Sequence, residues 1–254
     1  MDRVAFFDGV RASLFGGKLT EGQVAGMGGI LEAFEAVGDG RGKTLAYALA
    51  TAYHETGRMM VPMREGCWRN PPGTDAEARA AVTALARRRG PASAPARYGK
   101  PVAPHGHVYY GRGLVQLTWA DNYKRSSGDA AADLFAEPDL MLDPTISARV
   151  LIRGLLDGRW NAAGKGIAHY LPTDGADDAQ NARRTVNVTD RWQEIGGHYR
   201  MCRAAVEAAG GVAAPAPAAP DPAAERLLAL AQWRAAAPEA EIAAVTAFLG
   251  RMPA

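Results

Sequence analysis

The chain has 254 residues, 48% hydrophobic and 22% charged, with 29 Lys+Arg against 27 Asp+Glu for a net charge of +2. That length buries a full core in one or two domains, and so small a net charge gives no ground for nucleic-acid binding. Two cysteines, Cys67 and Cys202, lie far apart and make free or buried thiols rather than a disulfide framework. No stretch approaches the roughly 20 apolar residues of a membrane span, so no membrane insertion is expected.

In the opening MDRVAFFDGVR the apolar run of about four residues is too short for a signal-peptide core. The expectation is a protein made in the cytoplasm that supplies no export signal of its own. Val4, Phe6, Phe7, Val10, Leu14 and Phe15 fall on helical spacing that Gly16-Gly17 ends. Thr20 and Gln23 form a capping box that opens a second helix bearing Val24, Met27, Ile30, Leu31 and Phe34. After a loop over Gly38 to Gly42, LAYALATAYHE begins at Leu45 and is apolar on every side, the pattern of a helix buried all round. Charge appears only at its end, as His54-Glu55, with Gly57 as a C-cap. Three helices before the first candidate catalytic residue predict an all-α domain.

A glutamate carried out of a buried helix is costly without partners or a task. A second carboxylate, Glu65, follows Arg64 in a segment that Pro62 and Gly66 keep non-helical. One carboxyl on a rigid apolar helix and one on a nearby turn suit an inverting glycosidase, which needs a desolvated acid and an ionised base that holds a water. The same residues would also serve as a cap on a neighbouring element and a surface partner of Arg64.

Farther on, Gly66 to Gly73 reads as loop, and Thr74 with Glu77 as a capping box for an Ala/Arg-rich helix to Arg89. From Gly90 to His107 the Pro, Gly and Ala content predicts irregular chain. No acid occurs between Glu77 and Asp121, whereas Arg79, Arg87, Arg88, Arg89, Arg97, Lys100 and Arg112 do. A solvated face explains such a run, and an anionic glycan is a partner it would suit. Aromatic interleaving is too sparse for nucleic acid. In YYGRGLVQLTW, Leu114 to Thr118 alternate as a short strand would, placing Gln116 and Thr118 on one face. Amide and hydroxyl groups beside Tyr and Trp rings describe a wall for sugars, unless Gln and Thr merely satisfy a structural turn.

The succession AYHETG, then RE, then YYGRGLVQLTWADNY resembles glycoside hydrolase family 19, the chitinases of plants and bacteria and the related endolysins of phages and prophages. The resemblance runs from residue 3 to residue 208. It implies an all-α, mostly helical, lysozyme-like fold with two lobes flanking a cleft and at most a short β element. It also implies hydrolysis of a β-1,4-linked polymer containing N-acetylglucosamine, with inversion. On this likeness Glu55 is the general acid. The short spacing, similar to the endolysin branch, makes Glu65 the general base, and the Thr118 hydroxyl helps to hold the attacking water. His54, Tyr110, Gln116, Trp119, Asn122 and Asn187 are the implied substrate contacts. Trp160 matches the tryptophan that ends a helix read here over Pro144 to Trp160. Asn187 lies in a segment where Val188-Thr189 replace the family's usual glycines, and Arg183 and Arg184 nearby read as surface residues or as supports behind the substrate contacts, with the surface preferred.

From residue 210 to 224 the chain turns to proline and alanine, a linker after a catalytic domain over 1–209, and 225–254 reads as a short helical tail. Arg58 stands where an HExxH zinc site needs its second histidine, and no Cys/His cluster, GxSxG or P-loop occurs. No metal or cofactor is therefore expected. The reading is a monomeric endolysin-type glycosidase that cuts the glycan strand of peptidoglycan after release through a separate pore. A chitinase and a catalytically silent glycan-binding domain are the alternatives.

Overall fold

The computed structural model describes residues 1–161 and 163–212. The tail and nearly all of the linker read from the sequence lie outside the described residues. Helix α1 (Arg3–Ser13) is capped by Asp2, whose carboxylate accepts from the Val4 and Ala5 amides. Helix α2 (Glu21–Val37) opens with the expected capping box of Thr20 and Gln23. Helix α3 (Gly42–Glu55) is buried at every position from Thr44 to Tyr53, as its unbroken apolar sequence requires. Its main partner is α10 (Trp192–Ala208), and α2 and α7 (Pro144–Asp157) also pack on it. On α10, Ile195, Tyr199, Cys202 and Val206 are spaced three or four apart and bury one stripe. Helix α6 (Ala120–Ala130) packs on α7, and the one-turn helices α8 (Ile167–Tyr170) and α9 (Ala179–Ala182) lead back towards α10.

A second, smaller cluster consists of Cys67, Ala78, Val82, Val108 and Tyr110, with Tyr98 packed against it. It lies under α4 (Asp75–Arg89), which carries the expected capping box of Thr74 and Glu77. The β structure is one antiparallel pair, β1 (Met63–Arg64) and β2 (Arg112–Gly113), in the register Met63 opposite Gly113 and Arg64 opposite Arg112. Arg112 ties this pair to its surroundings although its side chain is only 2% exposed. It donates to Asp139 at 2.8 Å, to the Val108 carbonyl at 3.0 Å, to the Tyr123 hydroxyl at 3.2 Å and to Asp75 at 3.3 Å. Its guanidinium lies 3.7 Å from the centre of the Tyr110 ring. A buried charge met on every side in this way fixes the hairpin against both clusters.

Three local expectations are corrected. The stretch from Gly90 to His107 is not wholly irregular: Ala94–Tyr98 forms α5, with Pro95 in its first turn, where a missing N–H costs no hydrogen bond. Leu114 to Thr118 is a tight turn closed by a bridge between Arg112 and Leu117, not a strand; Gln116 sits at φ 51°. Helix α7 stops at Asp157 rather than Trp160, because Gly158 at φ 65° takes the left-handed cap. Both cysteines are free and buried, as their separation suggested. Among the described residues no helix is long and apolar enough to cross a membrane.

Gly26 on α2 shows how closely α2 meets the segment after α3. A Cβ there would run into the Met60 carbonyl oxygen, whereas one at Gly28 meets nothing within 4 Å. Gly28→Ala should therefore stabilise the protein by up to ~1 kcal/mol through helix propensity. Gly26→Ala should destabilise it by about 2 kcal/mol or more, because overpacking against backbone outweighs the same propensity gain. Urea midpoints of the two variants, moving in opposite directions, check both.

Candidate active site

The end of α3, the β1–β2 pair and the hairpin turn from Arg112 to Leu117 face a single open cleft of about 900 Å³. Glu55 and Glu65 both line it, with Gln116, Thr118, Trp119 and Asn122 on the hairpin side and Asn187 on the opposite segment. The sequence thus marked seven residues that the fold brings to one cleft. His54 and Tyr110 do not line it. His54 points to α10, with Nδ1 3.9 Å from Glu194, and burial pushes its imidazole below the ordinary value. Tyr110 is fully buried in the smaller cluster, where its hydroxyl donates to Asp75 at 2.7 Å. Tyrosine was a poor guide here because a large apolar ring next to Arg112 is more stable buried than solvated.

The two carboxylates are held in different ways. Glu55 is the last residue of α3, 16% exposed, and its Oε1 lies 2.7 Å from Nη2 of Arg183. Arg183 belongs to a 3₁₀ turn, Arg183–Thr185, and is 2% exposed, so its reading as a surface residue is corrected. A second donor, Nε, reaches the Asp190 carbonyl at 3.2 Å and fixes the guanidinium. Arg183 was not legible as Glu55's partner because its approach depends on how α9 and α10 fold back, and no local spacing encodes that.

Glu65 follows β1 and owes its placement to the register of the β1–β2 pair. Its N–H donates to the Gly111 carbonyl at 2.8 Å, and its Oε2 accepts the Gly111 N–H at 2.9 Å. Its Oε1 accepts from the Tyr98 hydroxyl at 2.6 Å. On its other side Gly111 is packed by Gln116, whose Oε1 a Cβ there would meet at 2.8 Å. Arg64 does not pair with Glu65; it reaches Asp139 at 2.5 Å. Tyr98, on α5, was passed over in the sequence because it sits alone in Pro/Gly/Ala-rich chain with no periodicity to mark it.

The remaining wall is built from the turn. Gln116 Nε2 donates to the Gly113 carbonyl at 3.0 Å and the Met63 carbonyl at 3.2 Å, so this amide braces the hairpin. The Thr118 hydroxyl donates to the Gln116 carbonyl at 2.8 Å, which leaves its oxygen lone pairs available as acceptors. Asn122 donates to the Thr118 carbonyl at 2.9 Å, and Asn187 accepts from the Val188 N–H at 2.8 Å. Trp119, 38% exposed, presents its ring beside Tyr98 at 5.3 Å in an edge-to-face contact. Two exposed arginines, Arg89 and Arg184, also line the cleft, and neither forms an ion pair among the described residues. Among those residues no group of three or more His, Cys, Asp or Glu side chains is placed to hold a metal ion.

The family model of glycoside hydrolase family 19, described as chitinase class I, matches residues 30–157, half of the chain. The chain belongs to this family. It is accordingly a glycoside hydrolase, and the matched region contains both carboxylates and the whole hairpin. Similar solved structures include a chitinase C mutant, 19% identical over 84% of this chain and 94% of that one, with a TM-score of 0.45. Chitinase C from Streptomyces griseus HUT6037 is 20% identical over 84% of this chain and 78% of that one, with a TM-score of 0.47. Comparison with curated protein sequences gives no match.

Arg183→Met should remove the charged partner of Glu55 while the neighbouring turn keeps its backbone bonds. The expected loss in kcat on a soluble N-acetylglucosamine oligosaccharide is about 10- to 150-fold, the range of a charge-assisted hydrogen bond at ~1.5–3 kcal/mol. Steady-state kinetics beside a circular-dichroism melt check it.

Proposed function

We propose that this family 19 hydrolase cleaves β-1,4 bonds of the peptidoglycan glycan strand with inversion, as an endolysin-type enzyme. The observation that supports it best is the pair of carboxylates on one cleft, one at the end of α3 and one in the turn after β1, each with its own donors. In this reading Glu55 protonates the glycosidic oxygen, and Arg183 stabilises the negative charge that appears on the carboxylate as the proton leaves. Glu65 takes a proton from a water. The water's other proton rests on Thr118, whose own hydrogen is engaged by the Gln116 carbonyl. Water held by two acceptors turns a lone pair towards the anomeric carbon, and attack from that face inverts it. Asn122, Asn187 and the Trp119 ring then hold the sugars.

Peptidoglycan is favoured as substrate by the unpaired cations. Chitin carries no charge, whereas the peptidoglycan strand carries carboxylates on its stem peptides, or on the lactyl groups where the peptide has been removed, and Arg89 and Arg184 lie on the cleft. Chitin is the second reading, favoured by the family's description as chitinase class I. Action as a monomer on the wall, reached through a separate membrane pore, belongs to the first reading.

Glu55→Gln should lose turnover by at least ~100-fold, the scale of general acid catalysis, with the fold unchanged. NMR of the first-formed product should show the α-anomer; an initial β-anomer would refute the role given to Glu65. The double variant Arg89→Gln/Arg184→Gln should lower kcat/KM on peptidoglycan roughly 2- to 30-fold, from ~0.2–1 kcal/mol per exposed charge pair. The same variant should act on neutral chitin oligosaccharides as before. Mass spectrometry of the digested wall identifies the bond.

A further inference from the structure

We propose that Tyr98 is a positioning residue for the catalytic base and couples the base to the sugar-stacking wall, a role that rests on Glu65 being that base. The argument starts from a carboxylate on an irregular segment. A glutamate side chain rotates about three bonds, and nothing in a turn restricts it. Here each oxygen has one donor from a different part of the chain. The Gly111 N–H takes Oε2 at 2.9 Å, and the Tyr98 hydroxyl takes Oε1 at 2.6 Å. Two donors on two oxygens fix the carboxylate plane, which a single donor leaves free to swing. Both donors are neutral, so they orient the group without cancelling the charge that draws a proton from water.

Tyr98 itself is firmly set. Its helix, α5, closes with the Gly99 N–H on the Pro95 carbonyl at 3.0 Å, and its ring packs on the smaller cluster. A Cβ at Gly99 would meet the Pro95 carbonyl at 2.6 Å and Val82 at 2.9 Å, so the end of α5 has no room to shift. The edge of the ring meets Trp119 at 5.3 Å with an interplanar angle of 83°. Arg97 in turn lies 5.5 Å from the centre of the Trp119 ring. Burial, and the Glu65 carboxylate beside it, push the Tyr98 phenol far above its usual value, so it keeps its proton and stays a donor at neutral pH. The residue that orients Glu65 therefore also buttresses Trp119, and the two walls of the cleft nearest the water share one side chain.

The two duties separate in a single substitution. Tyr98→Phe keeps the ring and its contact with Trp119 but deletes the donor to Glu65. It should lower kcat about 10- to 100-fold, the range for losing a hydrogen bond to an ionised group, and leave KM within about twofold. Tyr98→Ala, which removes the ring too, should raise KM as well. The readout that a merely structural role would not give is a double-mutant cycle with Glu65→Gln. In that background Tyr98→Phe should cause a further loss of less than about twofold, because its effect runs through the base. Wild-type kcat in Tyr98→Phe would overturn the proposal, as would an effect confined to KM or an undiminished loss in the Glu65→Gln background. Near-normal turnover by Glu65→Gln alone would instead refute the assignment of the base, and with it the mechanism under which Tyr98 was placed. Melting temperatures of the singles identify any variant that has lost its fold.

Discussion

The structure depends on burying α3 from every side. A helix apolar all round has no solvent face, so it is stable only when other helices enclose it. Helices α10, α7 and α2 do so, and α1 in turn packs on α10. Such a helix cannot rotate or slide without exposing apolar surface at roughly 25 cal/mol per Å². The place where it first meets solvent is consequently fixed to within a side chain, and Glu55 occupies that place. Arg183 reaches it from the segment that leads into α10, so the helix that closes the core also follows the residue that partners Glu55.

The other carboxylate is fixed by different physics. Glu65 lies beyond a two-residue strand, and a sheet that small has little stability of its own. The buried Arg112 supplies what the sheet lacks by joining the hairpin to Asp139, Asp75 and Tyr123. From there the geometry of Glu65 follows: register puts it across from Gly111, and α5 brings Tyr98 to its other oxygen. The two sites differ in charge. A guanidinium faces Glu55, and neutral donors face Glu65. An acid that becomes negative as it gives up its proton gains from a fixed cation. A base that must attract a proton gains from donors that orient it without neutralising it. The fold therefore sets two chemically identical groups in unlike surroundings, a fixed cation beside one and two neutral donors on the other.

Much of the site was legible in the sequence. The helix that carries Glu55 announced itself by ten residues without a charge, Thr44 to Tyr53, before His54-Glu55, and Pro62 and Gly66 kept Glu65 out of any helix. Spacing along YYGRGLVQLTW put Gln116, Thr118 and Trp119 near one another, although by a turn rather than by the alternation of a strand. The same stretch misled at Tyr110, whose ring went under Arg112 instead of towards sugar. His54 misled in a similar way, since the residue before Glu55 on a helix points about 100° away and meets α10.

The sequence by itself determined that α1 to α4 and α7 become helices, where capping boxes start α2 and α4, and which helix is central. These are local properties, written in the periodicity of apolar residues and in side chains that bond backbone three residues away. Only the tertiary structure decided that Arg183 faces Glu55 and that Tyr98 faces Glu65. Each pair spans elements distant in sequence, 128 positions apart for one and 33 for the other. Nothing in the neighbourhood of either partner specifies the other, because the contact energy is gained only after the enclosing helices have packed. The chain therefore states its carboxylates openly, but what each carboxylate can do is set by a partner that folding alone brings to it.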